Sequence, residues 1–184
     1  MAIRVIRQIF KIVNRFFMVP LFRLGLGFFV GNPITGYIMV LKTIGRKTSK
    51  QRYAPVNYAI MNGNVYCMAG FGKDTHWFRN LQSQPNIEVI LPSGPAAGVA
   101  EDVTDSKEAV DILRQLLKNS GFAGFLAGFN PYTISDAKLR EKTGDYPLVR
   151  IRPTGVGSGA ADAGGWLWIL SLAVTALALW LLLH

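Results

Sequence analysis

The chain has few of the residues on which metal and redox centres are built. One cysteine, Cys67, occurs in 184 residues. That excludes an internal disulfide framework and a Cys-rich zinc site. Two histidines, His76 and His184, leave little for a His-based metal centre, and a catalytic triad would have to rest on His76. Charged residues make up only 17% against 50% hydrophobic, a balance too apolar for disorder. The length accommodates one domain with appendages. Acidic residues are missing from the first part of the chain. The first is Asp74, and eleven basic residues precede it: Arg4, Arg7, Lys11, Arg15, Arg23, Lys42, Arg46, Lys47, Lys50, Arg52 and Lys73. This part should seek an anionic partner, whether lipid headgroups, nucleic acid or a phosphorylated cofactor.

Both ends have the character of membrane elements. Trp166 to Leu183 is an unbroken apolar run without charge or Pro. Eighteen helical residues reach about 27 Å, close to a hydrocarbon core of about 30 Å, and Trp residues near both ends suit the interfaces. The alternative is a buried core helix. The first reading makes 166–184 a transmembrane anchor behind a flexible Gly/Ala/Ser linker at 154–165. It places the protein in the cell membrane, tail-anchored, with its basic domain cytoplasmic. In segment 1–30, Arg4, Arg7, Lys11 and Arg15 recur at spacings of three and four, one helical face, with Ile and Phe residues filling the rest. It reads as an amphipathic helix lying on anionic membrane lipids or covering the domain's own core. Pro20 should end or kink it.

Segment 31–153 reads as the barrel domain. Tyr37–Thr43, Arg52–Ile60, Val65–Gly70, Asn86–Leu91, Ala96–Val103 and Tyr146–Arg152 have strand character. Met61 to Asn64 and the Pro92-Ser93-Gly94-Pro95 stretch supply hairpin turns. Helices are expected at Thr75–Ser83, Ser106–Asn119 and Ser135–Lys142, the second with Asp105 and Glu108 spaced for a capping box. The fold class is mainly β with helices (α+β), an antiparallel barrel.

Two stretches carry chemistry. Thr43 to Arg52 joins two strands and holds Arg46, Lys47, Lys50 and Arg52 beside Thr48, Ser49 and Gly45. Cations, hydroxyls and backbone N–H groups are what a phosphate needs, although a solvated basic hairpin has the same composition. The G-x-x-x-x-G-K-[ST] pattern does not match. The second stretch runs from Met68 to Leu81. A strand ends in the Gly70–Gly72 loop and a helix starts, with Asp74 or Thr75 as N-cap. Trp77 either packs against a ring system or joins the core.

Together, GRKTSKQRYAPV and MAGFGKDTHWFRNLQSQPNIEV resemble the deazaflavin (F420)-dependent nitroreductase and quinone reductase family. The likeness covers about Leu41 to Val103. It implies a split β-barrel that binds reduced coenzyme F420. By position, Thr43, Arg46, Lys47, Thr48, Ser49, Lys50 and Arg52 would hold the phosphate and acidic tail. Pro55, Met68, Ala69 and Gly70 would line the deazaflavin, and Trp77 and Asn80 would close the site. Ser49 stands where the family pattern has Gly. The implied reaction is hydride transfer to an acceptor stacked on the ring. Gly121 to Tyr132 would wall that acceptor, with Tyr132 as the proton donor. Membrane contacts point to a lipid-soluble quinone or another small apolar acceptor. FMN on the same barrel, or a cofactor- or lipid-binding protein without turnover, are the rival expectations. Nucleic acid is not expected, because aromatics do not interleave with the basic loop.

Overall fold

The computed structural model describes residues 12–31, 36–121, 128, 130–159 and 168–183. Among the described residues there are six strands: β1 (Ile38–Ile44), β2 (Gln51–Met61), β3 (Asn64–Met68), β4 (Asn86–Leu91), β5 (Gly94–Asp102) and β6 (Leu148–Val156). Every pairing is antiparallel, and the strands close in the order β1-β2-β3-β6-β5-β4. The Asn62-Gly63 turn carries positive φ at both positions (50° and 73°), the geometry that matches strand twist in a tight hairpin. Gly98 sits at a register irregularity of β5. A Cβ there would lie 2.7 Å from Ile151 and 2.8 Å from the Arg152 carbonyl, so the strands approach this closely only through glycine.

Side-chain alternation divides the apolar residues into three groups. Met39, Leu41, Val65, Cys67, Val89 and Ile151 fill the barrel with others of the same parity. Helix α2 (His76–Ser83) contributes Phe78 and Leu81 to that core. The outer face of β2, β3 and β6 offers Ala59, Tyr66 and Leu148 to α3 (Ala109–Lys118) and α4 (Asp136–Thr143). The outer face of β1 and β4 offers Val40 and Ile90 to Met18 and Phe22 of the N-terminal segment.

Several expectations change. Of the two outcomes expected at Pro20, an end or a kink, the helix does not end there. A π turn at Asn14–Met18 leads directly into α1 (Val19–Arg23), with Pro20 in its first turn. The wider turn takes up a residue that lacks an N–H, as π-bulges do inside longer helices. Helix α3 starts at Ala109 rather than Ser106. Glu108 is its N-cap residue in helical conformation and makes no side-chain cap bond. The preceding residues are committed to a turn in which the Thr104 N–H donates to the Asp102 carboxylate and the Ser106 N–H to the Val103 carbonyl. The expected capping box is therefore not formed. Strand β6 continues to Val156, into the segment read as linker.

The transmembrane expectation is corrected as well. Helix α5 (Trp168–Leu183) has 16 described residues, about 24 Å of helix. No helix among the described residues is long and apolar enough to cross a membrane. Trp166, Leu167 and His184 lie outside the described residues, as do Arg4, Arg7 and Lys11 at the other end.

Candidate functional site

The cationic loop between β1 and β2 is internally fixed. The Gly45 N–H donates to the Lys50 carbonyl at 2.9 Å, and the Thr48 and Ser49 N–H groups donate back to the Gly45 carbonyl at 3.0 and 2.8 Å. Arg52 Nη2 reaches Thr48 Oγ1 at 3.3 Å. A Cβ on Gly45 would meet Thr48 Oγ1 at 3.0 Å, which accounts for the glycine. Ser49 has φ of 53°, the left-handed region where glycine is favoured. The family pattern's Gly at this position therefore has a backbone reason, and Ser49 carries the strain instead.

Helix α2 holds this loop through one side chain. Asn80 is buried. Its Oδ1 accepts from the Arg46 N–H at 3.2 Å and from Arg46 Nη1 at 3.5 Å, and its Nδ2 donates to Thr43 Oγ1 at 3.3 Å. Thr43, read as a phosphate contact, is buried and faces this amide. The two sequence stretches that carried the resemblance are thus hydrogen-bonded to each other. The N–H groups of Arg46, Thr48 and Ser49 are all taken up within the protein. Arg46, Lys47, Thr48, Lys50 and Arg52 are exposed.

The second half of the site follows from where β2 and β3 part. They pair from Met61–Asn64 to Tyr58–Cys67, and β3 ends at Met68. The next residue, Ala69, donates its N–H to the Pro147 carbonyl, away from β2. Residues 51–57 of β2 are paired with β1, and their other edge faces the parting. Pro55 lies in this stretch, and its missing N–H removes a donor that an edge can spare. Gly70 is exposed, with nothing within 4 Å of where a Cβ would stand. The stretch from Arg52 to Asn57 extends about 20 Å along this edge, starting at the cationic loop.

Other expected residues lie to the sides of this edge. Ala69 is packed in the barrel core, and Met68 leans on the α3–α4 cluster. Trp77 packs against the barrel core and meets the Phe78 ring edge-on at 6.2 Å. Thr75 is the N-cap of α2 without a side-chain cap bond, because its hydroxyl donates to the Gly72 carbonyl at 2.7 Å. His76 is exposed. Tyr132 is 68% exposed, with the Lys118 ammonium 5.6 Å from its ring centroid. Its segment is pinned to α3 by Arg114, which donates to the Pro131 and Ile134 carbonyls and to Asp136. Tyr132 thus belongs to the α3–α4 layer. Residues 122–127 and 129 of the expected acceptor wall lie outside the described residues.

Sequence reasoning passed over Tyr58, on the last β2–β3 rung and packed against the barrel core. Burial, with the nearby Tyr37, raises its phenol above the ordinary range, so it stays a hydrogen-bond donor at neutral pH. Its signal was the alternation of β2, which puts Ala54, Val56 and Tyr58 on the inner face.

The fold is thus a closed six-stranded antiparallel barrel with an exposed cationic hairpin clamped to a helix through Asn80. Residues 22–123, more than half of the chain, match the family described as F420H(2)-dependent quinone reductase. The chain belongs to that family and is an F420H2-dependent oxidoreductase. Among solved structures it is similar to F420-H2 dependent reductase FDR-A (21% identity, 62% of this chain and 92% of that one, TM-score 0.43). It is also similar to an F420 reductase (15%, 70% and 92%, TM-score 0.45) and to a conserved hypothetical protein of Mycobacterium tuberculosis (15%, 70% and 88%, TM-score 0.48). Coenzyme F420 is the cofactor of the family.

Proposed function

We propose that this enzyme transfers a hydride from reduced F420 to a lipid-soluble acceptor, a quinone or a nitro or enone compound, at the cytoplasmic surface of a membrane. The observation that carries the cofactor side of this reading is that β2 runs on from the cationic loop, paired with β1, before its pairing with β3 begins at Tyr58. An elongated molecule with a flat ring at one end and anionic groups at the other fits that order of residues. Arg46, Lys47, Lys50 and Arg52, with the Thr48 and Ser49 hydroxyls, meet the phosphate and acidic tail. Thr43 and Asn80 hold the loop that presents them. Pro55 and Gly70 border the ring, with Met68, Ala69 and Trp77 behind it.

When bound, the reduced deazaflavin supplies the hydride. The chain's part is to fix its orientation, exclude water along the β2 edge and give a proton to the oxygen on which negative charge develops. A phenol fits the last task. Tyr132 is the candidate from the sequence, and Tyr58 is the candidate from its place at the parting of β2 and β3.

The acceptor class rests on the apolar ends. Helix α5 exposes Leu172, Leu177, Leu181 and other apolar side chains along its described length, and the first part of the chain is basic without an acid before Asp74. Apolar surface with cationic neighbours suits an anionic bilayer, where a quinone dissolves. The test is optical. Purified protein with reduced F420 should oxidise it when menadione or a short-chain menaquinone is added. Tight F420 binding without turnover of quinones or nitro compounds would overturn the reaction and leave a cofactor carrier.

A further inference from the structure

We infer that the outer face of β1 and β4 is the side of the barrel that rests on an anionic lipid bilayer, and that a Lys42–Glu88–Ser158 clasp sets this orientation. The inference rests on the membrane reading above and specifies its geometry.

The first observation is the clasp. Lys42 and Glu88 are opposite each other on β1 and β4, with Nζ to Oε1 at 3.3 Å. Lys42 Nζ also donates to Ser158 Oγ at 2.8 Å and to the Gly159 carbonyl at 2.7 Å. The Ser158 hydroxyl lies 2.8 and 3.0 Å from the two Glu88 oxygens, and the Gly159 N–H donates to Oε2 at 3.1 Å. Beyond β6 the chain is therefore folded across β5 and β4 and tied down on the β1–β4 face. A Cβ at Gly157 would meet Glu88 Oε2 and the Ala96 backbone at 3.0–3.1 Å, so the crossing is tight. Lys42 is only 9% exposed, and a buried ammonium with three acceptors is a specific tie.

The second observation is that the N-terminal segment occupies the same face. Phe22 packs on Val40 and Ile90. Phe22, Arg23, Ile90 and Gly159 line one groove of about 290 Å³ beside the Pro92–Pro95 hairpin. The N-terminal segment and the chain as far as Gly159 thus meet the barrel on one side.

The third is what that side exposes. Phe16 (71%), Phe17 (55%), Phe28 (55%) and Phe29 (68%) are open to solvent, and the Phe28 and Phe29 rings touch, centroids 4.1 Å apart. Arg15 lies over the Phe16 ring at 5.5 Å. Clustered phenyl rings beside cations suit the headgroup–acyl boundary of an anionic leaflet. The opposite side of the barrel is covered by α3 and α4, where Lys138, Arg140, Glu141 and Lys142 are exposed with charges of both signs. A flat bilayer can meet one of these faces only.

The test uses the full chain and vesicles of phosphatidylglycerol with phosphatidylcholine, phosphatidylcholine alone serving as control. Neither F420 nor a quinone is needed, so failure here leaves the enzymatic reading standing. An environment-sensitive fluorophore is attached at Phe28→Cys or at Arg140→Cys, Cys67 being buried. Spin-labelled lipid should quench the label at position 28 several-fold more than the label at 140, on anionic vesicles and much less on the control. Equal quenching, or stronger quenching at 140, overturns the assignment of the face. Ser158→Ala, which leaves the strands intact, and Glu88→Gln should retain binding but lower the ratio of the two signals. An unchanged ratio in both variants overturns the role of the clasp.

Discussion

Asn80 holds Arg46 at both its backbone and its side chain, accepting from the N–H at 3.2 Å and from the guanidinium at 3.5 Å through one oxygen. The same amide donates to Thr43. A helix that closes the barrel end therefore sets where the first cation of the loop points. Asn80→Leu should leave the Thr43 hydroxyl and the Arg46 N–H without this partner. The cost is about 1–3 kcal/mol, read as a lower denaturation midpoint. Reduced-F420 affinity should fall further than the stability loss alone explains, because the loop loses its anchor. Unaltered affinity in a folded variant would detach α2 from cofactor binding.

Ser49 gives a prediction of the opposite sign. Its φ of 53° costs a non-glycine residue about 1–2 kcal/mol. Part of that is offset by the greater freedom of glycine in the unfolded chain. Ser49→Gly should raise the denaturation midpoint slightly or leave it in place, while Ser49→Val should lower it clearly. A Val variant as stable as the parent would mean that the loop relaxes to a different turn.

The cradle is tested by replacing Arg46, Lys47 and Arg52 together with Ala. These side chains are exposed, so folding stability should change by less than about 1 kcal/mol. Each well-formed charge-assisted hydrogen bond to the cofactor contributes about 1.5–3 kcal/mol, and the triple variant should bind F420 at least a hundredfold more weakly. Binding by the parent protein should also weaken as salt rises. A fluorescence titration at several ionic strengths measures both.

Much of the barrel is legible in the sequence because hairpin turns and apolar alternation are local. Asn62-Gly63 and the Pro92–Pro95 stretch mark two of the connections, and the six strands fall close to the six segments read as strands. What is not legible is whatever depends on a distant partner. Asn80 meets Thr43 across 37 positions and Arg46 across 34, and no spacing rule joins them. Pro20 has the look of a helix end, but a π turn ahead of it takes up the missing donor. Ser158 lies in a Gly-rich stretch that reads as linker, and it is tied down because Lys42 and Glu88 happen to face it from two other strands.

The same clasp predicts a pH dependence. Partial burial pushes the Glu88 carboxyl up, but hydrogen bonds from Ser158 and Lys42 and the Lys42 charge outweigh it, and the net value lies below the ordinary carboxylate range. A depressed acid stabilises the fold in full above its unfolded value, and that contribution is lost as pH falls through the folded value. The C-terminal arm should therefore loosen only in acid, below the usual carboxylate range, and Glu88→Gln should remove that part of the acid transition. Limited proteolysis at 154–167 across a pH series reads it. An arm released already near neutral pH, or an acid transition identical in Glu88→Gln, contradicts the account.

The proton donor is the last question the geometry makes testable. Tyr132 is exposed on the α3–α4 side beside Lys118, and Tyr58 is half-buried where β2 and β3 part, with its phenol raised above the ordinary range. Removing a donor that stabilises a developing oxyanion costs about 10²–10³-fold in turnover. The group that donates should show this loss on Phe substitution while F420 affinity stays unchanged. Its raised value also fixes the shape of the profile for Tyr58: a donor phenol is active while protonated, so turnover should hold through neutral pH and fall only above the ordinary tyrosine range. Tyr132→Phe and Tyr58→Phe are therefore measured side by side, each with kcat and F420 affinity across pH, with menadione as acceptor. A large kcat loss in Tyr132→Phe alone supports the sequence-derived assignment, and the same loss in Tyr58→Phe alone moves the donor to the β2–β3 parting. If neither variant loses more than a few-fold, the proton comes from water and both assignments fall.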